Sequence, residues 1–289
     1  MRSILVTGAN SYIGRAFSQY MGAFSGEYMV HSVSLRHGSW REKDFSPYDA
    51  VLHTVGLAHM RETAGNRPLY GQINRDLAVE TARKARAEGV GQFLFLSSMS
   101  VYGMDEGVIT PKTVPRPQSS YGRSKLEAEQ LLWGLRTETF RVAILRPPMV
   151  YGEGCRGNYR ALVRLAGLLP ACPEYENRRS AISIEHLCAY MKETIDSGAE
   201  GVFCPQDPEY FCTCRMICRI AEAQGRRLPQ TRLLNAGPAL LRRFTRAGRK
   251  AFGDLVYWDE GQCSDACIQC GEVHRGGGPV CAAPDVEGF

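Results

Sequence analysis

Long apolar runs are missing from this sequence. No stretch approaches the roughly 20 residues that span a bilayer, so no transmembrane helix and no membrane partner are expected. The first residues lack a basic region followed by an apolar core, because Ile4-Leu5-Val6 already reads as a buried strand. That pattern predicts no signal peptide and a cytoplasmic location. Cysteine is absent before Cys155, and a chain of 289 residues without an export signal is not a small disulfide-stapled domain. The eleven cysteines therefore read as free thiols, Cys212, Cys214 and Cys218 among them as packed ones. Acids are scarce between residues 215 and 250, where Glu222 stands alone against ten Lys/Arg. The plain reading of Arg242, Arg243, Arg246, Arg249 and Lys250 is the solvated face of one helix; the alternative is an anion site for a phosphorylated substrate. Aromatic interleaving and a nucleic-acid-binding module are both lacking, so no nucleic-acid partner is expected. Metal-ligand spacing is equally thin. A single C-x-x-C occurs, Cys267 and Cys270, with Cys263, His274 and Cys281 nearby, and without a second such pair no metal is expected.

What is present fits a soluble α/β protein. Apolar residues make up 44% and charged residues 22%, ordinary values that leave room for a substantial core. In the first half, apolar strands alternate with helical patterns, the signature of a parallel sheet with crossover helices. Strands are predicted at Ile4–Thr7, Tyr28–Leu35, Ala50–Val55, Phe93–Ser98 and Arg141–Pro147. Helices are predicted at Tyr12–Met21, from Ile73 to Glu88 with Gly89 as C-cap, and from "YGRSK" to about Leu135. Ala64-Gly65-Asn66-Arg67-Pro68 reads as a loop. This order predicts a doubly wound parallel sheet. From Tyr151 the pattern loosens, with strand-like "GVFCPQ" at Gly201–Gln206, as a smaller interleaved region would. Residues 259–289 lose all periodicity and read as loop or disorder. The expected division is 1–155, 156–258 and an atypical tail, 259–289.

The stretch "TGANSYIG" lies between the first strand and the first helix. A phosphate loop needs glycine where backbone amides approach phosphate oxygens or where the helix packs closely on the sheet, and Gly8 and Gly14 meet those needs. Ser11 stands at the middle position, with a hydroxyl able to donate to a phosphate oxygen. Further on, Ser98 ends a strand, and Tyr121 and Lys125 lie four apart on a helix, hence on one face a turn apart. His53 and His59 have no acid and nucleophile arranged around them and read as core or loop packing.

"TGANSYIG", "SSMSVYG", "YGRSK" and "LRPPMVYG", in that order, resemble the extended short-chain dehydrogenase/reductase family, the NAD-dependent epimerase/dehydratase group, over residues 1 to about 255. The resemblance implies a Rossmann-type doubly wound sheet with a smaller interleaved substrate-binding region. It implies Tyr121 as catalytic acid/base, Lys125 as its activator and holder of the nicotinamide ribose, and Ser98 as partner of the reacting sugar oxygen. A free phenol has a pKa of about 10, and a neighbouring ammonium favours its phenolate. Gly8, Asn10, Ser11, Tyr12, Ile13, Gly14, Arg36 and Pro147 would join Tyr121 and Lys125 in holding the cofactor. Arg179 would pair with the substrate diphosphate, the alternative being a surface ion pair, and Asn74 either lies near the site or serves as a polar helix-start residue. Pairing of subunits through helices of the sheet region also follows from the family.

Departures from the family pattern narrow the chemistry. Met99 and Ser100 follow Ser98 where the dehydratases of this group carry an acidic pair, so dehydration is not expected. Ser34 ends the second strand where an NAD-preferring protein has an acid, and with Arg36 close by, NADP joins NAD as a candidate cofactor. Met149 stands where an asparagine often precedes "VYG". The expected function is 4-epimerisation of a UDP-sugar by transient oxidation. The alternatives are NAD(P)H-dependent reduction of a 4-keto nucleotide sugar and a non-catalytic cofactor-sensing protein of the same fold.

Overall fold

A computed structural model describes residues 1–258 apart from His59, Arg61 and Arg156; the cysteine-rich tail, its candidate metal ligands and the expectation for His59 lie outside the described residues. In chain order the strands are β1 (Arg2–Thr7), β2 (Tyr28–Val33), β3 (Ala50–His53), β4 (Gln92–Leu96), β5 (Gly107–Ile109), β6 (Arg141–Leu145), β7 (Met149–Tyr151), β8 (Cys172–Pro173), β9 (Ala181–Ser183), β10 (Gly201–Phe203), β11 (Gln230–Thr231) and β12 (Leu255–Tyr257). The helices are α1 (Tyr12–Met21), α2 (Arg67–Tyr70), α3 (Leu77–Ala87), α4 (Ser120–Trp133), α5 (Asn158–Leu168), α6 (Ile184–Asp196), α7 (Thr213–Ala223), α8 (Ala236–Phe244) and α9 (Arg246–Phe252).

Six strands form one parallel sheet in the order β10-β6-β4-β3-β1-β2. Their continuous apolar runs follow from burial on both faces. Successive strand residues point to opposite sides. Leu5, Val51, Phe93, Phe95, Val142 and Ile144 pack with Ala78, Ala82 and Ala85 of α3 and Ala128 and Leu132 of α4. Their neighbours Ile4, Val6, Leu52, Leu94, Leu96 and Leu145 pack with Phe17 and Met21 of α1 and Leu187, Met191 and Ile195 of α6. Full burial of each of the Val, Leu, Ile, Phe and Met side chains among these stabilises the fold by about 1.5–3 kcal/mol. After β1 the chain runs to β2 on one side and then crosses to β3 on the other. A crevice therefore opens at the carboxyl ends of β1 and β3. Smaller parallel pairs, β5–β12, β7–β9 and β8–β11, build the remaining part above those ends.

Some boundaries differ from expectation. The helix predicted from Ile73 begins at Arg67 instead, and it passes through a π-helical stretch, Gly71–Asp76, before α3. Pro68, expected in a loop, sits in the first turn, where its missing N–H costs nothing. The basic segment is two helices rather than one. Thr245 is extended (φ −129°, ψ 145°) and its side chain caps α9 by accepting from Gly248 N at 2.8 Å. Cys212 and Cys214 are buried and Cys218 half-buried, all three as free thiols.

Candidate active site

A cleft of about 1100 Å³ lies over the carboxyl ends of the sheet strands. Gly8, Asn10, Ser11, Tyr12, Ile13, Arg36, Ser98, Tyr121, Lys125, Pro147 and Arg179 all line it, so one cavity gathers segments that are up to 171 residues apart in sequence. Gly14 does not line the cleft. It is buried where a Cβ would lie 2.6 Å from Ser11 Oγ and 2.9 Å from Gly8 O, which gives it the helix-packing role its position predicts. Gly8 has φ +98°, a left-handed backbone, and a Cβ there would meet Thr54 Oγ1 at 2.7 Å. The loop thus turns tightly and presents the N-terminus of α1 to the cleft, an arrangement suited to a pyrophosphate.

Ser11 departs from its expected use as a phosphate donor. Its Oγ accepts from Gly14 N at 2.9 Å as the N-cap of α1. The same oxygen lies 2.6 Å from Thr54 Oγ1, whose own proton goes to Thr7 O at 2.7 Å, so Ser11 donates to Thr54. The hydroxyl ties the loop to the end of β3, with its proton turned to Thr54 rather than into the cleft. Tyr12 also reaches across: its hydroxyl donates to Glu153 O at 2.9 Å, and burial pushes its pKa up to about 12.

Ser98 caps the short helical turn Met99–Tyr102, its Oγ accepting from Ser100 N at 3.1 Å. Met99 N donates to Pro147 O at 3.0 Å, which fixes the segments after β4 and β6 to each other. Tyr121 and Lys125 stand a turn apart on α4, whose N-cap Ser119 accepts from Gly122 N. Burial raises the Tyr121 pKa, and a hydrogen bond with Ser98 pulls it the other way. The expected lowering by Lys125 is not what governs the phenol. Burial also works against the Lys125 ammonium and takes its pKa down to about 7, Glu129 opposing. Lys125 Nζ donates to Leu96 O at 2.7 Å and sits 4.5 Å from the centroid of the Phe95 ring.

Asn74 is fully buried in the π-helical stretch and does not line the cleft. Its Oδ1 accepts from Leu57 N at 2.7 Å, and its Nδ2 donates to Ser124 Oγ at 3.0 Å. It braces the loop after β3 against α4, the helix that carries Tyr121. Of the two expectations for His53, core or loop packing, the structure shows core: it is stacked beside Phe93 and bonded to Thr7 Oγ1 at 2.9 Å.

Several residues escaped the sequence reading. Beneath the catalytic candidates, Arg146 and Glu129 form a fully buried pair, Nη2 to Oε2 at 2.5 Å. Ser97 donates to Glu129, and Arg146 Nη1 donates to Tyr102 OH at 2.9 Å. Ser97 precedes Ser98 and Arg146 precedes Pro147, so the pair anchors both strand ends to α4. Glu129 follows Lys125 by four residues, a spacing visible in the sequence, but its partner was not. At the other end of the cleft, Arg179 Nη1 donates to Gly253 O at 2.8 Å, and Arg246 and Lys250 join it in the lining. Asp105 answers both, at 2.8 Å and 3.8 Å. Part of the basic segment therefore faces the cleft rather than only solvent. In the lining at this end three cations stand against one carboxylate, with Asp254 and Glu106 further back near Arg179, a surface suited to a diphosphate.

Residues 4–169 match the NAD dependent epimerase/dehydratase family. Over 250 residues, 77% of this chain and 76% of the relative, the sequence is 30% identical to UDP-glucose 4-epimerase of Vibrio cholerae. It is 28% identical over 167 residues to GDP-6-deoxy-D-mannose reductase of Pseudomonas aeruginosa, 54% of this chain and 55% of that one. UDP-glucuronic acid 4-epimerase from Bacillus cereus, solved in complex with NAD, has a TM-score of 0.67 at 17% identity and covers 92% of each chain, a likeness of fold. The doubly wound sheet, the glycine turn over its switch point and these matches agree: the chain belongs to the NAD dependent epimerase/dehydratase family.

Proposed function

We propose that the chain is an NAD(P)-dependent nucleotide-sugar epimerase, and that its reaction is inversion at C4 of a UDP-sugar. The observation that carries this reading is the meeting of Ser98, Tyr121 and Lys125 in one cleft with the Gly8 turn. The cofactor fits these residues, because the left-handed Gly8 leaves the turn open where a Cβ would crowd Thr54. Gly8, Asn10, Tyr12 and Ile13 would hold its diphosphate, and Lys125 and Pro147 would flank its nicotinamide half. When bound, the nicotinamide supplies reversible acceptance of a hydride from the sugar carbon. With the cationic nicotinamide bound beside it and the Lys125 ammonium one turn away, the phenolate form of Tyr121 would be favoured over the phenol that burial alone prefers. That phenolate would take the proton from the sugar hydroxyl and later return it. Ser98 donates a hydrogen bond to the same sugar oxygen. Arg179, Arg246 and Lys250 would bind the substrate diphosphate. With Met99 and Ser100 after Ser98, no acid stands ready to drive loss of water.

A second reading, reduction of a 4-keto nucleotide sugar, is favoured by one observation. Ser34, Leu35 and Arg36 line the cleft after β2 with no carboxylate among them to repel a 2′-phosphate. Denaturing the purified protein and identifying any nucleotide released separates the two. Retained NAD⁺ is the expected result, whereas an empty protein that binds NADPH reversibly would favour the reductase. Tyr121→Phe is expected to lower turnover by about 10²–10⁴ with the fold intact. Unchanged turnover would remove Tyr121 from the acid/base role, and a parent protein that binds the nucleotide but turns over neither class of substrate would leave only the non-catalytic reading.

A further inference from the structure

From Arg226 to Lys250 the chain carries eight Lys/Arg and no acid. The same stretch exposes large apolar side chains: Leu233 is 92% exposed, Phe244 70%, Leu240 55% and Leu241 48%. Pro238 is the one buried residue of α8, and Arg242, a turn further on, pairs with Glu106 at 2.6 Å. These two seat the helix on the molecule. At 100° per residue, Leu240 and Phe244 then lie on the outward crest, with Leu241 on one flank and Arg243 on the other. Arg243 and Arg249 have no carboxylate within ion-pair distance among the described residues, whereas Arg246 and Lys250 share Asp105. The result is a convex apolar ridge with a cationic rim, beside the end of the cleft that Arg246 and Lys250 line.

We propose that α8 and the start of α9 dock on an anionic membrane surface, with Leu240 and Phe244 entering the acyl boundary and the arginines on lipid phosphates. Short basic amphipathic helices bind in this way. No membrane partner was expected from the sequence because no run is long enough to span, but interfacial binding needs no such length. A lipid surface fits better than a second copy of the chain. Three apolar side chains on a helix of 9 residues offer far less than the ~800 Å² per partner of a specific protein interface. A ridge, moreover, enters a deformable layer without a matching groove. Docked in this way, the molecule would hold its cleft at the lipid–water boundary, whichever reaction the cleft performs.

Co-sedimentation of the full chain with vesicles tests this. The protein should pellet with phosphatidylcholine vesicles containing phosphatidylglycerol, remain in solution with phosphatidylcholine alone, and be released as salt rises. Arg243→Gln with Arg249→Gln should weaken binding about tenfold or more, each arginine near the surface being worth about fivefold. Leu240→Gln with Phe244→Gln should abolish it. Both pairs are exposed or half-exposed, so melting temperatures should match the parent. Failure to pellet, equal binding to both vesicles, or binding unmoved by either variant would overturn the proposal. So would a concentration-dependent dimer that Leu240→Gln with Phe244→Gln dissolves, since the ridge would then belong to a second copy.

Discussion

His53 and Lys125 are both fully buried against the β3–β4 part of the sheet, and burial acts on both in the same direction. Desolvation, with Lys125 adding to it, lowers the His53 pKa from 6.5 to about 3. Above pH 6.5 the imidazole is neutral whether the chain is folded or not, so the full contribution to stability is present there. As pH falls from 6.5 toward 3, the unfolded chain takes up a proton that the folded one refuses, and stability is lost. Over that range the loss is roughly 3–5 kcal/mol. His53→Phe, which keeps a ring beside Phe93 and Phe95, should show a much smaller fall in melting temperature between pH 7 and pH 4 than the parent. An equal fall in both proteins would show that acid sensitivity arises elsewhere. At this scale the sequence was legible wherever identity alone decides: His53 as a packing residue, Gly8 and Gly14 at their turns. It was not legible where a partner is remote. Ser11 was readable as a loop hydroxyl, but the group that takes its proton, Thr54, lies 43 residues away on another strand end.

Helix α4 carries Tyr121, Lys125 and Glu129 at four-residue spacing along one face, the Lys125 amine on Leu96 O of β4, and the buried pair of Glu129 with Arg146 fixes its register on β4 and β6. Burial works against the Arg146 charge, but Glu129 and Tyr102 outweigh it and raise the pKa. Glu129→Gln would leave the guanidinium without a countercharge in a dry interior, a loss of about 3–5 kcal/mol visible in thermal melts. The carboxylate also raises the Lys125 pKa from one turn away. Its removal should therefore let Lys125 lose its proton at lower pH, moving the Lys125-dependent limb of the pH–rate profile downward. A purely structural role would lower the melting temperature and leave that limb in place. The elements themselves were largely visible beforehand. α1 and the centres of the sheet strands follow from apolar periodicity, which both faces of the sheet enforce. The early start of the helix at Arg67 was hidden, because Asn66-Arg67-Pro68 suits a loop as well as a first turn. The break at Thr245 was hidden for a similar reason, since arginines on both sides keep one periodicity across two helices.

The whole molecule sets a cationic end of the cleft opposite the Gly8 turn. Arg179 is largely removed from water, and burial lowers its pKa while Asp105, Asp254 and Glu106 oppose. Arg246 is more exposed and shares Asp105 with Lys250. Arg246→Ala should raise KM for a nucleoside-diphosphate substrate about three- to tenfold with kcat little changed, and the effect should shrink as salt is added. A fall in kcat alone would place Arg246 elsewhere in the reaction. The sequence offered the basic segment as one possible anion site and the resemblance implied Arg179 at the diphosphate, but that Arg246 and Lys250 join Arg179 could not be read along the chain, because all three belong to the second half, which folds back over the first. That return has a structural cost for any attempt to divide the protein. Gly201–Phe203 does not stay with the smaller pairs but lies beside Arg141–Leu145 as the outermost strand of the large sheet, and α6 covers one of its faces. A single protease nick near Gly154 should therefore give two pieces on a denaturing gel and one particle on a sizing column, because each piece carries part of the other's interior.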